Sequence, residues 1–75
     1  MIEEGKRYRF DPPVQATGIQ GEGDATKLFP NLRFAIGECV KVGTHAHEFR
    51  GESGGKTYKF FSVARAGASK VTPIT

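Results

Sequence analysis

His45 and His47 stand at H-x-H spacing, which on an extended strand turns both imidazoles to one face, about 6.5–7 Å apart along the chain. That is half of a zinc site. Zinc takes four ligands, or three and a water. The nearest further donors are Glu52 and Cys39, but Cys39 lies too far along the strand to join without a sharp bend, and no second His/Cys pair exists. The histidines are therefore expected to be ordinary hairpin residues, with no metal and no cofactor.

Gly51-Glu52-Ser53-Gly54-Gly55-Lys56-Thr57 invites comparison with a phosphate-binding P-loop. Arg50 occupies the position where that motif needs its first glycine, Gly51 is one residue too close, and Thr57 opens a β-type run rather than a helix. A hairpin loop is the better reading. Nucleophilic chemistry at Cys39 would need an orienting partner for His45 or His47 and an oxyanion pocket, which so small a core can scarcely enclose. No catalytic residue is assigned. An enzyme is conceivable only as an oligomer whose copies share one site.

What remains is a combination of cations and rings. Arg7, Tyr8 and Arg9 come early; Lys56, Tyr58, Lys59, Phe61, Arg65 and Lys70 come late. Arginine and lysine can track phosphates or meet an acidic partner, while Tyr8 and Tyr58 are candidate stacking rings. The charge is uneven: Met1 to Gly37 is balanced, whereas no acid follows Glu52. The same alternation of charged and apolar residues is what any half-buried strand shows.

These residues must be positioned by a chain of 75 residues with net charge +3, one cysteine and no tryptophan. The length suits one domain over residues 1–75, burying only about 60–65% of the surface its unfolded chain exposes. With no disulfide partner for Cys39, a structural metal or self-association becomes a more plausible supplement to the core than in a larger domain. The lone thiol and the charged first ten residues suggest a reducing, cytoplasmic setting, with neither a secretory leader nor a membrane span.

Ten glycines and four prolines interrupt the chain too often for long helices, so the expectation is all-β. A first strand over Lys6–Phe10 ends at Asp11-Pro12-Pro13, because proline cannot donate to a ladder. Residues 14–27, with Gly18, Gly21 and Gly23, read as a long glycine-rich surface loop. Leu32, Phe34 and Ile36 alternate with polar or small residues. A bend at Gly37 then leads to a strand with Val40 and Val42 inward and Cys39 and Lys41 outward, running to Phe49. Arg50–Gly55 connects it to a returning strand over Lys56–Arg65. There either a β-bulge at Phe60–Phe61 brings Tyr58, Phe60, Phe61 and Val63 to one side, or the strand is buried on both faces. Ala66–Ala68 turns into a closing strand, Ser69–Ile74, with Pro73 tolerable only at an edge. The anticipated core holds Phe10, Phe34 and Phe60.

The stretch Gly37-Glu38-Cys39-Val40-Lys41-Val42 followed by a hairpin resembles the G-x-x-V-x-V pattern common in SH3-like barrels, and less closely that of OB-folds. The resemblance implies a small five-stranded barrel. Such barrels read peptides, bind nucleic acids, form subunits of larger assemblies and occasionally catalyse, so function stays open. The leading expectation is a protein-interaction or inhibitor module presenting a loop that carries Gly18, Gln20, Glu22 and Asp24, or a sheet edge. The alternative is a nucleic-acid-associated barrel using Arg7, Arg9, Lys56, Lys59, Arg65 and Lys70. No membrane partner is expected.

Overall fold

Tyr8 and Phe10 alternate with Arg7 and Arg9, and burial follows that alternation: both rings are inside and both guanidinium groups outside. This strand opens the fold in the computed structural model, which describes residues 2–19, 29–63 and 69–74. Among these residues the strands are, in order, β1 (Arg7–Ala16), β2 (Gly18–Ile19), β3 (Phe29–Lys41), β4 (Ala46–Ser53), β5 (Lys56–Val63) and β6 (Lys70–Pro73). All pairings are antiparallel, in the spatial order β2-β5-β4-β3-β1-β6.

The chain is thus all-β, as its composition implies, but the sheet has six strands and does not close into the expected five-stranded barrel. It curls instead. β1 pairs with β3, and a single residue later β2 pairs with β5, so β1–Thr17–β2 spans the sheet's two flanks. The Thr17 N–H donates to the Lys59 carbonyl at 3.0 Å. Pro73 lies on β6, an edge strand, where a missing donor costs no ladder bond.

The curl encloses an aromatic core of Tyr8, Phe10, Phe34, Phe49 and Phe60, with Ala16 and Cys39. Phe10 meets Phe49 at 4.7 Å and Phe60 at 5.1 Å between ring centroids, both edge to face. Phe34 stacks on Phe60 at 5.4 Å. Such contacts add about 0.5–1.5 kcal/mol each beyond the area they bury. Room for the rings comes from glycine: a Cβ at Gly37 would fall within the Phe60 ring, and one at Gly51 within that of Phe34.

Several expected boundaries move. β1 passes through Pro12 and Pro13 to Ala16, because the β1–β3 register shifts between Arg9 and Val14 and asks no ladder bond of the prolines. Residues 14–16 and 18–19 are consequently strand rather than loop. The bulge placed at Phe60–Phe61 does not occur. The β4–β5 ladder is regular from Ala46↔Val63 to Ser53↔Lys56, so Tyr58, Phe60 and Ser62 face in while Phe61 is 39% exposed. A two-residue turn, Gly54-Gly55, fixes that register, with φ of 58° and 80°. Positive φ at both positions is the type I′ requirement. The connection expected over Arg50–Gly55 shrinks to those two glycines.

The irregularity lies on β3 instead, where the register shifts between Cys39 and Lys41. The expected facing is already reversed upstream, where the β1–β3 register shifts between the Val14↔Phe34 and Arg9↔Ile36 pairs: Ile36, expected on the same side as Phe34, is exposed, Cys39 is buried, Val40 is half-buried and Val42 is 46% exposed. β3 also runs through Gly37 as one continuous strand. The turn expected at Ala66–Ala68 lies outside the described residues. No helix among the described residues is long and apolar enough to cross a membrane.

Candidate interaction surface

With Tyr8, Phe10, Phe34, Phe49 and Phe60 inside, the other pleat of the sheet carries the charge, together with the partly exposed ring of Phe61. Arg7 on β1 stands opposite Glu38 on β3, Glu38 opposite Arg50 on β4, and Arg50 opposite Lys59 on β5. Acid and base alternate across the first three strands of this row. Arg50 donates from Nη2 to Glu38 Oε2 at 3.1 Å, and both side chains remain partly exposed. A pair so placed contributes about 0–1 kcal/mol, so its effect is to orient the groups more than to hold the fold.

One step along the strands, Arg9 pairs across from Ile36 on β3 and Thr72 on β6. Ile36 is 45% exposed, at the floor of a shallow depression of about 260 Å³. Arg7, Glu38, Arg50 and Glu52 surround it, and Gly37 and Gly51 complete its lining. Among the described residues, Arg7, Arg9 and Glu52 have no ion-pair partner.

The sequence-assigned residues divide. Arg7, Arg9, Lys59 and Lys70 lie on this outward pleat; Lys70 pairs across from Asp11 at the β6 edge. Lys59 is only half exposed, because its aliphatic stem crosses the backbone of Gly18 on β2. Lys56 is exposed at the β4–β5 turn on the opposite pleat from Lys59, so the late cations do not form one patch. Arg65, Gln20, Glu22 and Asp24 lie outside the described residues. Gly18 is buried within a strand rather than displayed on a loop.

Neither tyrosine is displayed for stacking. Tyr8 is 2% exposed, edge-on to Phe49, and its hydroxyl accepts the Glu3 N–H at 2.7 Å. Tyr58 is half-buried on the inward pleat, against Phe29 at 5.2 Å and Phe34 at 6.1 Å.

His45 sits in the bend before β4 rather than on a strand with His47. His47 Nδ1 accepts the Gly43 N–H at 3.2 Å, which ties that imidazole to the turn. Among the described residues no three His, Cys, Asp or Glu side chains gather closely enough to hold a metal ion. Burial pushes the Cys39 thiol above its ordinary range; a hydrogen bond with the backbone of Lys41 opposes this, and the charge of Glu4 adds to it. The thiol is therefore a protonated packing group at neutral pH.

Glu38 and Arg50 escaped the sequence reading, Glu52 entered it only as a candidate metal donor, and Ile36, expected on one face with Phe34, lies on the opposite one. Their signal is the period-2 pattern about two glycines: Ile36 and Glu38 flank Gly37, as Arg50 and Glu52 flank Gly51. A glycine that reads as a bend hides the alternation on either side of it. Comparison of the chain with protein families, curated proteins and solved structures gives no match to any of them.

Proposed function

We propose that the protein is a small non-catalytic binding module that receives a protein partner on the outward pleat of its sheet. The observation that supports this reading is the alternation of charge around an exposed apolar residue: Arg7, Glu38 and Arg50 in a row, with Ile36 and Glu52 beside them. Protein interfaces combine an apolar centre with a polar rim of both signs. A phosphate backbone is better met by cations without intervening acids and by displayed rings. Here Glu38 and Glu52 interrupt the cations, and Tyr8 is in the core. An SH3-like strand arrangement belongs to the same proposal, supported by the consecutive pairing of β3, β4 and β5. A role in partner binding for Gln20, Glu22 and Asp24 belongs to it as well.

Two measurements test the reading. A photo-crosslinking residue placed at position 36 should capture protein in cells, and Arg50→Glu should reduce that capture. In parallel, anisotropy with a labelled single-stranded oligonucleotide at physiological salt should show little binding. Tight binding that falls steeply with salt and requires Lys59 and Lys70 would overturn the proposal in favour of the nucleic-acid alternative.

A further inference from the structure

The β3–β4 ladder ends at Glu38↔Arg50, although β3 begins at Phe29 and β4 runs on to Ser53. The depression opens at that end, lined by Ile36 of β3 and Glu52 of β4, each two residues beyond the last pair. On the other side of β3, Arg9 of β1 stands opposite Ile36. Read across the three strands, the row is cation, apolar residue, anion. Arg7, two residues before Arg9 on the same pleat, adds a second cation to the β1 bank, because Glu38 opposite it is engaged with Arg50. Arg7, Arg9 and Glu52 are exposed and have no ion-pair partner among the described residues.

We propose that the depression takes a short segment of a partner protein in which an apolar anchor stands between an acidic and a basic residue. The anchor covers Ile36, the acid meets Arg9 and Arg7 on β1, and the base meets Glu52 on β4. Charge selects this chemistry. A segment laid in the reverse order sets like charges together on both banks, and a uniformly acidic one brings a carboxylate against Glu52. Glu38 and Arg50 already satisfy each other within the chain and do not compete for these groups. Exposed ion pairs of this kind fix the direction of the segment more than its affinity. Affinity comes from the anchor, which takes the 45% exposed Ile36 out of water. The inference rests on the reading that this face receives protein; it names what the partner presents.

Panning a phage-displayed library of random short peptides against the immobilised full chain should enrich peptides with an apolar residue between an acid and a base, in one chain direction. A labelled synthetic copy of an enriched peptide then serves as the probe in fluorescence anisotropy. Ile36→Asp should weaken its binding by about tenfold or more, because the anchor loses its contact. Should that variant fail to fold, Ile36→Thr, which suits a strand, must still weaken it. Glu52→Lys should weaken the same peptide. Exchanging the peptide's basic residue for glutamate should restore binding to Glu52→Lys and weaken binding to the wild type. No enrichment, enriched peptides without this order, a peptide indifferent to the Ile36 substitutions, or a charge exchange that restores nothing overturns the proposal. A position-36 crosslinker that captures a segment lacking the order, or another copy of this chain, leaves the binding reading standing and removes only this occupant. No enrichment together with no crosslink removes both.

Discussion

The ring of Phe60 lies against the backbone of Gly37, in the space that any other residue at 37 would need for its Cβ. A glycine that reads in sequence as an interruption is therefore the floor on which the central core ring rests. Gly37→Ala should displace that ring and lower unfolding free energy by about 1–3 kcal/mol, the usual cost of overpacking. Urea denaturation monitored by far-UV circular dichroism measures it. A Gly37→Ala variant as stable as wild type would show that Phe60 is not seated there.

Adjacent phenylalanines should behave in opposite ways. Phe60 is fully buried and Phe61 is 39% exposed opposite Glu48. Phe60→Ala should cost about 3–5 kcal/mol. Phe61→Thr, which keeps a strand-favouring side chain on the outward pleat, should change stability by no more than about 0.5 kcal/mol. Equal losses from the two would restore the rejected bulge.

The β4–β5 turn offers a test that gains stability. Gly54 and Gly55 both hold positive φ, and nothing lies within 4 Å of where a Cβ would be added. Gly54→Asn keeps the type I′ preference while restricting the unfolded chain, so it should stabilise by up to about 1 kcal/mol. Gly54→Val should destabilise, since a β-branched residue strains at that φ. Thermal melts of the two variants should move in opposite directions.

Gly43 is constrained differently. A Cβ there would collide with the carbonyl oxygen of Ala46, a backbone atom that cannot rotate aside. Gly43→Ala should therefore cost about 1–3 kcal/mol and disturb the hydrogen bond from its N–H to His47 Nδ1. The His47 ring resonances in an NMR spectrum report that bond directly.

The Cys39 thiol gives a pH dependence of definite sign. Its pKa is raised in the folded chain, so the native state holds the proton more firmly than the unfolded state does. The resulting stability is fully present below the unfolded thiol's pKa and declines as pH rises from about 8.5 toward the folded value. Cys39→Ala should remove that alkaline decline while adding a constant loss for the lost packing. Alkylation by iodoacetamide should be slow in the native chain near neutral pH and fast in urea.

Much of the inner pleat was legible because alternation is a strong signal where nothing interrupts it. Tyr8 with Phe10 shows this, as do the core assignments of Phe34 and Phe60. The outer site was obscured by glycine. Gly37 and Gly51 read as breaks, so Glu38, Arg50 and Glu52 do not appear as neighbours on one face, while Ile36 reads as a partner of Phe34 because the shift between them leaves no mark in the alternation. The facing of Ile36, Cys39 and Val42 is reversed for a different reason: the β1–β3 register shifts between the Val14↔Phe34 and Arg9↔Ile36 pairs, so residues after Phe34 change sides of the sheet. Charge counted along the chain grouped Lys56 with Lys59, although their odd separation on one strand puts them on opposite pleats.

The pairing of β2 with β5 joins Gly18 to Lys59, and β1 pairs with β6 as well as with β3. The first third of the chain therefore waits for its last third before its backbone groups are satisfied. A nascent chain of this sequence cannot consolidate from its start; among the described strands, only the β3–β4 and β4–β5 hairpins form from neighbours. Folding must close long loops before most contacts repay them, which places the domain among the slower folders of its size, in the range of about milliseconds to seconds.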